Sequence, residues 1–450
     1  MKYEKNIENN YDVDVLVAGG GPAGVAAAWA CATKGCNVLI IENSGCFGGM
    51  GTIGKVPMFT MFTDGVNFLS GGFGKLIYDK CFENDAVSPD DYKDNKLKQG
   101  SFSIQAEKLK KIYDDVITKS GAKVLFYTKI IDAVTFDGKV EYAICSGKSS
   151  IFSVKAKVYI DCTGDGTFSY YCGAEYEKGD SNGKMQPGTL CTEWSDIDWD
   201  KAKQSGNHGL WPTNEKFLDK AFEDGIFSVN DKHLPGIWRT GESTGGGNTG
   251  HAVGVDGTDE VSLTRATIEE RARIWEYQEY YRKYLSGYEN ARITGSGEVL
   301  GIRETRRIKG LYTLTKEDYL KRADFDDEIG RYSYQIDLHA SDSKELKNNM
   351  ELFKSLCYKP GESYGIPYSS LVPKGFDNLL VAGRCISCDR YMQASIRVMP
   401  GCFITGQGAG IAAYLAVKNH QCVYDVNIKW LKEELREIGA FIKEQVFENE

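Results

Sequence analysis

The sequence predicts an α/β fold in which a parallel sheet carries a β-meander and is interrupted by an inserted, mixed α+β domain. Three observations support this prediction. The chain begins with strand, helix and strand patterns inside about thirty residues, the length of one βαβ unit. Short β-type runs between Ile130 and Lys157 follow, broken by turn residues. A buried-strand pattern then returns far along the chain, at Asn378–Ala382.

The expected domain boundaries follow from where these patterns stop and resume. Residues 171–374 are richer in Trp, Tyr and charge, and a long amphipathic helix pattern runs from Ser262 to Leu285. We therefore expect one discontinuous domain, built from residues 12–170 and 375–450, to hold the parallel sheet. Residues 171–374 would form a substrate or cap domain.

The first βαβ unit carries a glycine-rich turn. Asp14–Ala18 and Asn37–Glu42 have the apolar pattern of buried strands, and the Ala-rich segment Pro22–Lys34 predicts a helix between them. The turn before this helix, Gly19-Gly20-Gly21-Pro22-Ala23-Gly24, fits the pattern G-x-G-x-x-G. Such glycines permit a tight turn, close approach of a pyrophosphate to the backbone, and packing of the helix on the strand, while the helix N-terminus attracts the anion.

A carboxylate at the end of the second strand indicates the kind of nucleotide. Glu42 lies eighteen residues after Gly24, where it can hold both ribose hydroxyls, and no Arg follows it to accept a 2′-phosphate. The sequence therefore predicts an adenine dinucleotide without that phosphate. An ordinary glycine-rich turn in a βαβ unit is the alternative.

Two further segments favour FAD over NAD. Residues 45–54, just past the second strand, are rich in glycine, and a long dinucleotide lying across the sheet needs backbone without side chains there. In a plain NAD domain the next crossover is usually helical. Here the meander leads instead into a buried strand at Val158–Cys162 and then into Thr163-Gly164-Asp165. A glycine-rich surface loop is the alternative for residues 45–54.

The C-terminal segments predict contacts with a flavin ring. Gly383 and Arg384 follow the late strand, and Gly406–Gly410 is expected to open a small-residue helix. A helix N-terminus at the pyrimidine edge of the flavin would stabilise the negative charge of the reduced ring, and Arg397 would add a fixed positive charge. The alternative is that these glycines serve helix packing only.

Taken together, these segments resemble the FAD-dependent oxidoreductase family of the glutathione-reductase superfamily, related to the succinate dehydrogenase and fumarate reductase flavoproteins. The resemblance extends from about residue 12 to 420. It implies an FAD-binding, Rossmann-like fold of the glutathione-reductase type, with the Arg303–Arg307 cluster near the active site. The matching segments are Gly19–Gly24, Gly48-Gly49-Met50-Gly51-Thr52, Arg303-Glu304-Thr305-Arg306-Arg307, Ile336-Asp337-Leu338-His339, Ile366-Pro367-Tyr368, Asn378–Ile386 and Ser395–Gly410.

We expect His339, Arg303 and Arg397 to be catalytic, because a general acid or base beside a flavin is often His, Tyr or Arg. A structural histidine at a strand end is the alternative for His339, and a salt-bridged surface turn is the alternative for Arg303. His251 is a weaker candidate, including as a covalent flavin anchor. The residues expected to bind the cofactor are Gly19, Gly21, Pro22, Ala23, Gly24, Glu42, Asn43, Gly48, Gly49, Met50, Thr52, Thr163, Gly164, Asp165, Gly383, Arg384, Arg397, Gly406 and Gln407.

No metal site is expected, because Cys385 and Cys388 form a lone C-x-x-C without a second pair. Two buried thiols are favoured over a redox dithiol at these positions. The 13 cysteines are scattered rather than set in a disulfide framework. This distribution favours a reduced, cytoplasmic enzyme, and the richness in Tyr, Lys, Asn and Gly suggests a bacterial one.

Charge and hydropathy limit the partners. The net charge is −9, and no run of Lys and Arg offers an attraction to nucleic acid or to an anionic membrane. Residues Met1–Asn10 contain no apolar h-region, and no stretch is long enough to span a bilayer. The sequence leaves the oligomeric state open.

These observations predict an FAD-dependent dehydrogenase or reductase that transfers a hydride between a small organic substrate and flavin N5. Only one nucleotide fingerprint is found, so a separate electron donor or acceptor is left open as a partner. Two alternatives remain at this point. One is a flavin-dependent monooxygenase, and the other is a flavin-carrying subunit of a larger redox complex.

Overall fold

The computed structural model describes residues 4, 6–7, 9–92, 100–211, 213–340 and 356–443. Its strands are β1 (Asn9–Ala18), β2 (Val38–Ile41), β3 (Met58–Phe59), β4 (Phe102–Ser103), β5 (Lys123–Leu125), β6 (Lys129–Phe136), β7 (Lys139–Ser146), β8 (Ile151–Asp161), β9 (Tyr176–Lys178), β10 (Thr192–Ser195), β11 (Gly236–Arg239), β12 (Gly245–Asn248), β13 (Arg292–Ser296), β14 (Arg306–Ile308), β15 (Glu328–Tyr332), β16 (Tyr364–Pro367) and β17 (Leu379–Val381). Its α-helices are α1 (Pro22–Ala32), α2 (Phe73–Glu83), α3 (Ala106–Ser120), α4 (Thr167–Tyr171), α5 (Trp199–Gln204), α6 (Leu218–Glu223), α7 (Glu260–Tyr284), α8 (Lys316–Lys321), α9 (Arg390–Ile396), α10 (Met399–Asn419) and α11 (Ile428–Glu437).

A seven-stranded sheet lies at the centre of the larger hydrophobic core. Its order is β5-β2-β1-β8-β7-β6, and β17 also pairs with β8. Strands β5, β2, β1, β8 and β17 pair in parallel, whereas β6, β7 and the start of β8 form an antiparallel meander. The predicted α/β fold, with a parallel sheet and a β-meander, is confirmed.

Strand β8 differs from the prediction and joins the two parts of this sheet. The sequence predicts a meander ending at Lys157 and a separate strand at Val158–Cys162, but Ile151–Asp161 is one strand of 11 residues. Its first residues pair with β7 and its last residues with β17, while β1 runs along its other side. The run is continuous because no glycine or proline interrupts it.

Helices α1 and α10 cross at small residues. A Cβ at Gly406 would lie 2.2 Å from the carbonyl oxygen of Ala23, and a Cβ at Gly410 would lie 2.4 Å from that of Ala27. These contacts leave no room for a side chain at either glycine. They also correct one expectation, because Gly406 does not open a helix and instead lies inside α10, which begins at Met399.

The sequence pattern predicts an amphipathic C-terminal helix from Ile428 to Phe447, but α11 is shorter. It ends at Glu437, ahead of Gly439, whose φ of +84° is the left-handed conformation that commonly follows a helix. Residues 444–447 of the predicted helix lie outside the described residues. Within the described part of the chain, no helix has both the length and the apolar character needed to cross a membrane.

A second hydrophobic core lies between Leu190 and Leu300. It combines a four-stranded antiparallel sheet, in the order β11-β12-β10-β13, with the long helix α7. Trp194 of this sheet packs against Tyr281 of α7, with ring centroids 5.6 Å apart. The mixed α+β character of this region agrees with the sequence. Ile308 and later apolar residues pack in the larger core, so the division at 171–374 stays a prediction.

Candidate functional site

Four parallel strands end at the same edge of the central sheet. The register pairs Ala18 at the end of β1 with Ile41 of β2 and with Asp161 of β8, and it pairs Asp161 with Val381 of β17. The expected cofactor residues follow these four strand ends in the chain. Segments distant in sequence are therefore brought together at one edge, which is where open α/β sheets bind ligands.

The turn after β1 leaves space where a pyrophosphate would lie. A Cβ at Gly24 would lie 1.8 Å from the carbonyl oxygen of Gly19, so the helix begins in direct contact with the turn. A Cβ at Gly21 would meet nothing within 4 Å, so the N-terminus of α1 faces open space. Gly21 caps α1 without a side-chain hydrogen bond, which leaves backbone N–H groups for an anion.

Glu42 is fixed at the end of β2 by two backbone donors. Its Oε2 accepts from the N–H of Gly20 and its Oε1 from the N–H of Ser44, both at 2.7 Å. A carboxylate has about four lone-pair positions, so two bonds leave capacity for the hydroxyls of a ribose. The next expected residue, Asn43, is exposed.

The glycine-rich loop at 45–54 folds over the first turn. The N–H of Gly48 donates to the carbonyl oxygen of Gly20 at 2.9 Å, and a Cβ at Gly49 would lie 3.3 Å from the Cα of Gly21. Gly48 has a φ of +100°, a conformation that favours glycine. Met50 belongs to the same short turn, and the hydroxyl of Thr52 donates to the carbonyl oxygen of Phe47 at 2.6 Å. The loop therefore borders the space in front of α1.

Buried Asp161 organises the turn after β8. Its Oδ1 accepts from the N–H and the hydroxyl of Thr163, at 2.9 and 2.7 Å, and its Oδ2 accepts from the N–H of Ser169 at 2.7 Å. Asp165, further along this turn past Gly164, forms an ion pair with Arg384 at 2.5 Å. The two segments expected to bind the cofactor after β8 and β17 are thus held together.

Gly383, Gly406 and Gln407 serve packing in this structure. A Cβ at Gly383 would lie 2.9 Å from the Cβ of Ala23, and Gly406 contacts the same residue. The Oε1 of Gln407 accepts from the N–H of Phe73 at 3.0 Å. The helix N-terminus that the sequence places at Gly406 lies at Met399, so any dipole effect on a ligand would come from there.

Arg397, Asp337 and His339 form a bonded group. The Nη2 of Arg397 donates to the Oδ2 of Asp337 at 3.0 Å, and the Oδ1 of Asp337 lies 3.2 Å from the Nε2 of His339. Burial favours the neutral carboxyl, but His339, Arg397 and Arg303 hold the pKa of Asp337 below its usual range. Asp337 is therefore a carboxylate at neutral pH. The Nε of Arg397 is buried and has no hydrogen-bond partner among the described residues.

Arg303 is buried close to the same group. Its Nη1 donates to the carbonyl oxygen of Pro187 at 2.6 Å and to the hydroxyl of Thr189 at 2.9 Å. Burial, and then repulsion by Arg397, lower the pKa of Arg303 to about 10, so it remains charged at neutral pH. Two guanidinium groups, those of Arg303 and Arg397, thus interact electrostatically with one carboxylate, Asp337.

Three of the five histidines meet beside this group, and His233, His251 and His339 are called the histidine cluster below. The Nε2 of His251 lies 2.9 Å from the Nδ1 of His339, and the rings of His233 and His251 stack with centroids 4.0 Å apart. Burial lowers the pKa of all three imidazoles, and that of His339 to about 3. All three are therefore neutral near pH 7.

The family of the chain follows from a sequence match that covers nearly all residues of both hydrophobic cores. Residues 14–435 match the family described as FAD dependent oxidoreductase. The chain belongs to this family. FAD is its cofactor, and the open space before α1 and the fixed carboxylate of Glu42 are consistent with that group.

Individual relatives share less with this FAD-dependent oxidoreductase. A thiamine thiazole synthase from Methanococcus aeolicus is 30% identical over 251 residues, which are 53% of this chain and 82% of that protein. A putative bifunctional amine oxidase from Dictyostelium discoideum is 47% identical over 55 residues, so the chain spans only 5% of it.

Solved structures with a similar chain path are more distant. A geranylgeranyl bacteriochlorophyll reductase-like protein from Thermoplasma acidophilum has 13% identity and a TM-score of 0.48, with 95% of this chain and 83% of that chain covered. The p-nitrophenol 4-monooxygenase PnpA from Pseudomonas putida has 11% identity and a TM-score of 0.46, with 95% and 84% covered.

The arginine-rich segment of the oxidoreductase divides into different roles. Glu304 is fully buried and accepts from Arg307 at 2.6 Å and from Arg390 at 3.1 Å. The guanidinium of Arg306 lies over the ring of Tyr170, 4.3 Å from its centroid. Of this segment, Arg303 is the residue whose charge lowers the pKa of Asp337 and of His339.

The buried group formed by Arg303, Arg397, Asp337, Asp231 and the histidine cluster is called the pocket below. Sequence reasoning missed two of its members and underrated a third. His233 and Asp231 lie in a loop without a recognisable motif, and His251 was ranked only as a weaker candidate. A usable signal was the scarcity of histidine, because the chain has only five. The Cys385–Cys388 pair is buried, and burial raises the pKa of both thiols, which agrees with the structural alternative.

Proposed function

We propose that this oxidoreductase transfers a hydride between flavin N5 and a small organic substrate that carries an anionic group such as a carboxylate. The observation that supports this proposal is a net positive charge, because the two cations Arg303 and Arg397 lie near a single carboxylate, Asp337. FAD, when bound, supplies the acceptor or donor of the hydride. The residues of the chain bind and orient the substrate.

The net positive charge and a hydrogen-bond donor without a partner both favour binding of an anion beside Arg303 and Arg397. Arg303 and Arg397 repel each other strongly enough to affect the pKa of Arg303, and Asp337 is the acidic group acting on both. A second carboxylate would offset this repulsion. The buried Nε of Arg397 offers it a donor, and hydrogen bonds to charged groups contribute about 1.5–3 kcal/mol each.

We propose a positioning role for His339 within this function. Its Nε2 is engaged with Asp337 and its Nδ1 with His251, so neither ring nitrogen faces a substrate. Through Asp337, His339 instead helps to fix the guanidinium of Arg397. The proposed substrate-binding region is 171–374, and the proposed flavin-binding residues are those that follow the ends of β1, β2, β8 and β17.

The proposal is tested by anaerobic mixing of the FAD-loaded protein with paired compounds. Each hydroxy, amino or unsaturated carboxylate is compared with its own amide, and the oxidised flavin band is followed. We expect at least one carboxylate to bleach or restore the band about 10- to 100-fold faster than its amide, the factor that one charged hydrogen bond gives. Equal rates within every pair would contradict the proposed anion site.

Variants separate substrate binding from flavin binding. Arg303→Gln should remove most of the preference for carboxylate over amide while the FAD content stays unchanged. Arg322→Gln is the control, because Arg322 pairs with Glu362 away from this pocket. Fast oxidation of NADH or NADPH in air, with no anaerobic reaction of any pair, would favour the monooxygenase alternative instead.

A further inference from the structure

The proposed function uses the histidine cluster only through His339 and gives no role to His233. The ligand atoms of His233, His251 and His339 all lie within 4.8 Å of one another. They come from three separate places: the loop before β11, the loop after β12 and the segment after β15. His251 and His339 are buried, and His233 is half-buried. This convergence calls for an explanation beyond packing.

The cluster lies between two carboxylates. A chain of contacts runs from Asp231 to the Nδ1 of His251 at 3.5 Å, from the Nε2 of His251 to the Nδ1 of His339 at 2.9 Å, and from the Nε2 of His339 to Asp337 at 3.2 Å. Each of these two rings therefore has one nitrogen beside a carboxylate and the other nitrogen facing the neighbouring imidazole.

A cation between the Nε2 of His251 and the Nδ1 of His339 would be bound by the two nitrogens that now face each other. Each imidazole could then direct its N–H to its own carboxylate, Asp231 for His251 and Asp337 for His339. This is the arrangement that metal-bound histidines commonly show, with the second ring nitrogen donating to a carboxylate. The two acids would also offset part of the charge of a divalent ion.

His233 supplies the independent observation. Its Nε2 is buried and has no hydrogen-bond partner among the described residues. A buried polar nitrogen without a partner is unfavourable, because it has lost its hydrogen bonds to water. A ligand in the cluster would give this atom a partner, whereas neither His251 nor His339 does so in the present arrangement.

We propose that His233, His251 and His339 bind one divalent first-row transition-metal ion, of which Zn²⁺ is the simplest example. Neutral imidazole suits Zn²⁺, and three histidines leave a fourth tetrahedral position open. Nothing in the hydride transfer proposed above requires this ion, so the two proposals stand or fall separately.

The geometry sets what must move when the ion binds. Zn–N bonds of about 2.1 Å at a tetrahedral angle place ligand nitrogens roughly 3.4 Å apart. The ligand atoms now lie within 4.8 Å of one another, so the widest pair must close by up to about 1.4 Å. The ring of His233 must also turn out of its stack with His251, because parallel rings cannot both direct a nitrogen at one ion. The interplanar angle, now 4°, would open.

Equilibrium dialysis of the intact, FAD-loaded protein against Zn²⁺ tests the proposal, after treatment with a chelator. We expect about one Zn²⁺ per chain at micromolar free metal. The single variants His233→Gln, His251→Gln and His339→Gln should each weaken Zn²⁺ binding at least 10-fold. His208→Gln is the matched control, because His208 is exposed and outside the cluster, and it should bind as the wild type does. The flavin spectrum of each variant reports whether it has folded.

A second variant keeps the test independent of the ligands themselves. Asp231→Asn removes a carboxylate that faces His251 without touching any of the three ligand nitrogens. It should weaken Zn²⁺ binding about 10- to 100-fold, the usual effect of losing such a partner. Wild-type protein that keeps its FAD but takes up no Zn²⁺, Co²⁺ or Fe²⁺ would overturn the proposal. So would Zn²⁺ uptake that all three histidine variants retain.

Discussion

The edge of the central sheet and the pocket are built from different kinds of groups. At the sheet edge, the groups proposed to face the cofactor are mainly backbone: the turn at Gly19–Gly24, the loop at 45–54 and the start of α1. In the pocket, they are buried ionisable side chains, Arg303, Arg397 and Asp337 with the histidine cluster. The first region depends on the absence of side chains, and the second depends on their charges.

This difference determines how each region tolerates change. A backbone site is sensitive to added atoms, which either meet backbone already in contact, as at Gly24, or enter the open space before the helix, as at Gly21. A site of buried charges fails when one partner is removed, because the remaining charge is left without compensation. The following predictions begin with two glycines at the sheet edge. They then compare Glu328, a buried carboxylate outside the pocket, with Asp337, and end with a cysteine pair.

The largest effect is expected from Gly24→Ala at the sheet edge. Its Cβ would lie 1.8 Å from the carbonyl oxygen of Gly19, so α1 must shift away from the turn. We expect a loss of more than about 3 kcal/mol in the free energy of unfolding and loss of bound FAD. Urea unfolding of the FAD-free protein and the absorbance of the purified protein measure the two effects.

Gly21→Ala is the matched variant, three residues earlier in the same turn. Its Cβ meets nothing within 4 Å, so the FAD-free protein should be nearly as stable as the wild type. FAD binding should nevertheless be weaker, because the new methyl group occupies the space in front of the helix. If Gly21→Ala bound FAD normally, that space would not be the pyrophosphate site.

A smaller effect, on pH dependence, is expected from a buried carboxylate outside the pocket. Glu328 lies 2.7 Å from Arg331, which it shares with Asp324. Burial raises the pKa of Glu328 from 4.5 to about 7, and Arg331 opposes this rise only in part. Asp337 behaves oppositely, because two guanidinium groups and His339 act on it and hold its pKa low.

The direction of the pH effect follows from this raised pKa. Between its unfolded pKa of 4.5 and its folded pKa of about 7, the folded protein holds a proton that the unfolded chain has lost. The free energy of unfolding should therefore fall as the pH rises through this window, by about 3 kcal/mol. Urea unfolding at several pH values should show this fall in the wild type and a much smaller one in Glu328→Gln. A slope that Glu328→Gln leaves intact would show that another group causes it.

Most of the fold at the sheet edge could be predicted because its signals are local. The strand at Asp14–Ala18, the glycine turn and Glu42 occupy one short stretch, and each has a pattern with a physical cause. The error at Gly406 has a cause too. Glycine is required there because a side chain would clash with the carbonyl oxygen of Ala23 on another helix. A contact between segments distant in sequence cannot be detected from local periodicity.

The pocket could be predicted only in part for the same reason. Arg303, His339 and Arg397 were expected from motifs, but the contacts that join them to Asp337 and His251 depend on the tertiary fold. Asp231 and His233 stand in a loop with no periodic pattern, and His251 is brought beside His233 by the antiparallel pairing of β11 with β12. The three histidines come together only because three loops converge in the folded protein, and the relative positions of loops cannot be predicted from a single sequence.

The smallest effect is expected from the double variant Cys385→Ala and Cys388→Ala. Both thiols are buried, the Sγ of Cys385 contacts the carbonyl oxygens of Ala382 and Asp161, and burial raises the pKa of both. Thiolates are the reactive form, so these residues should not exchange electrons with the flavin.

Reductive titration should consume about two electrons per flavin in both wild type and variant, since a coupled disulfide would add two more. Alkylation of the folded protein should modify exposed Cys357 well before either residue. Four-electron uptake by the wild type alone would show that the pair is a redox dithiol after all.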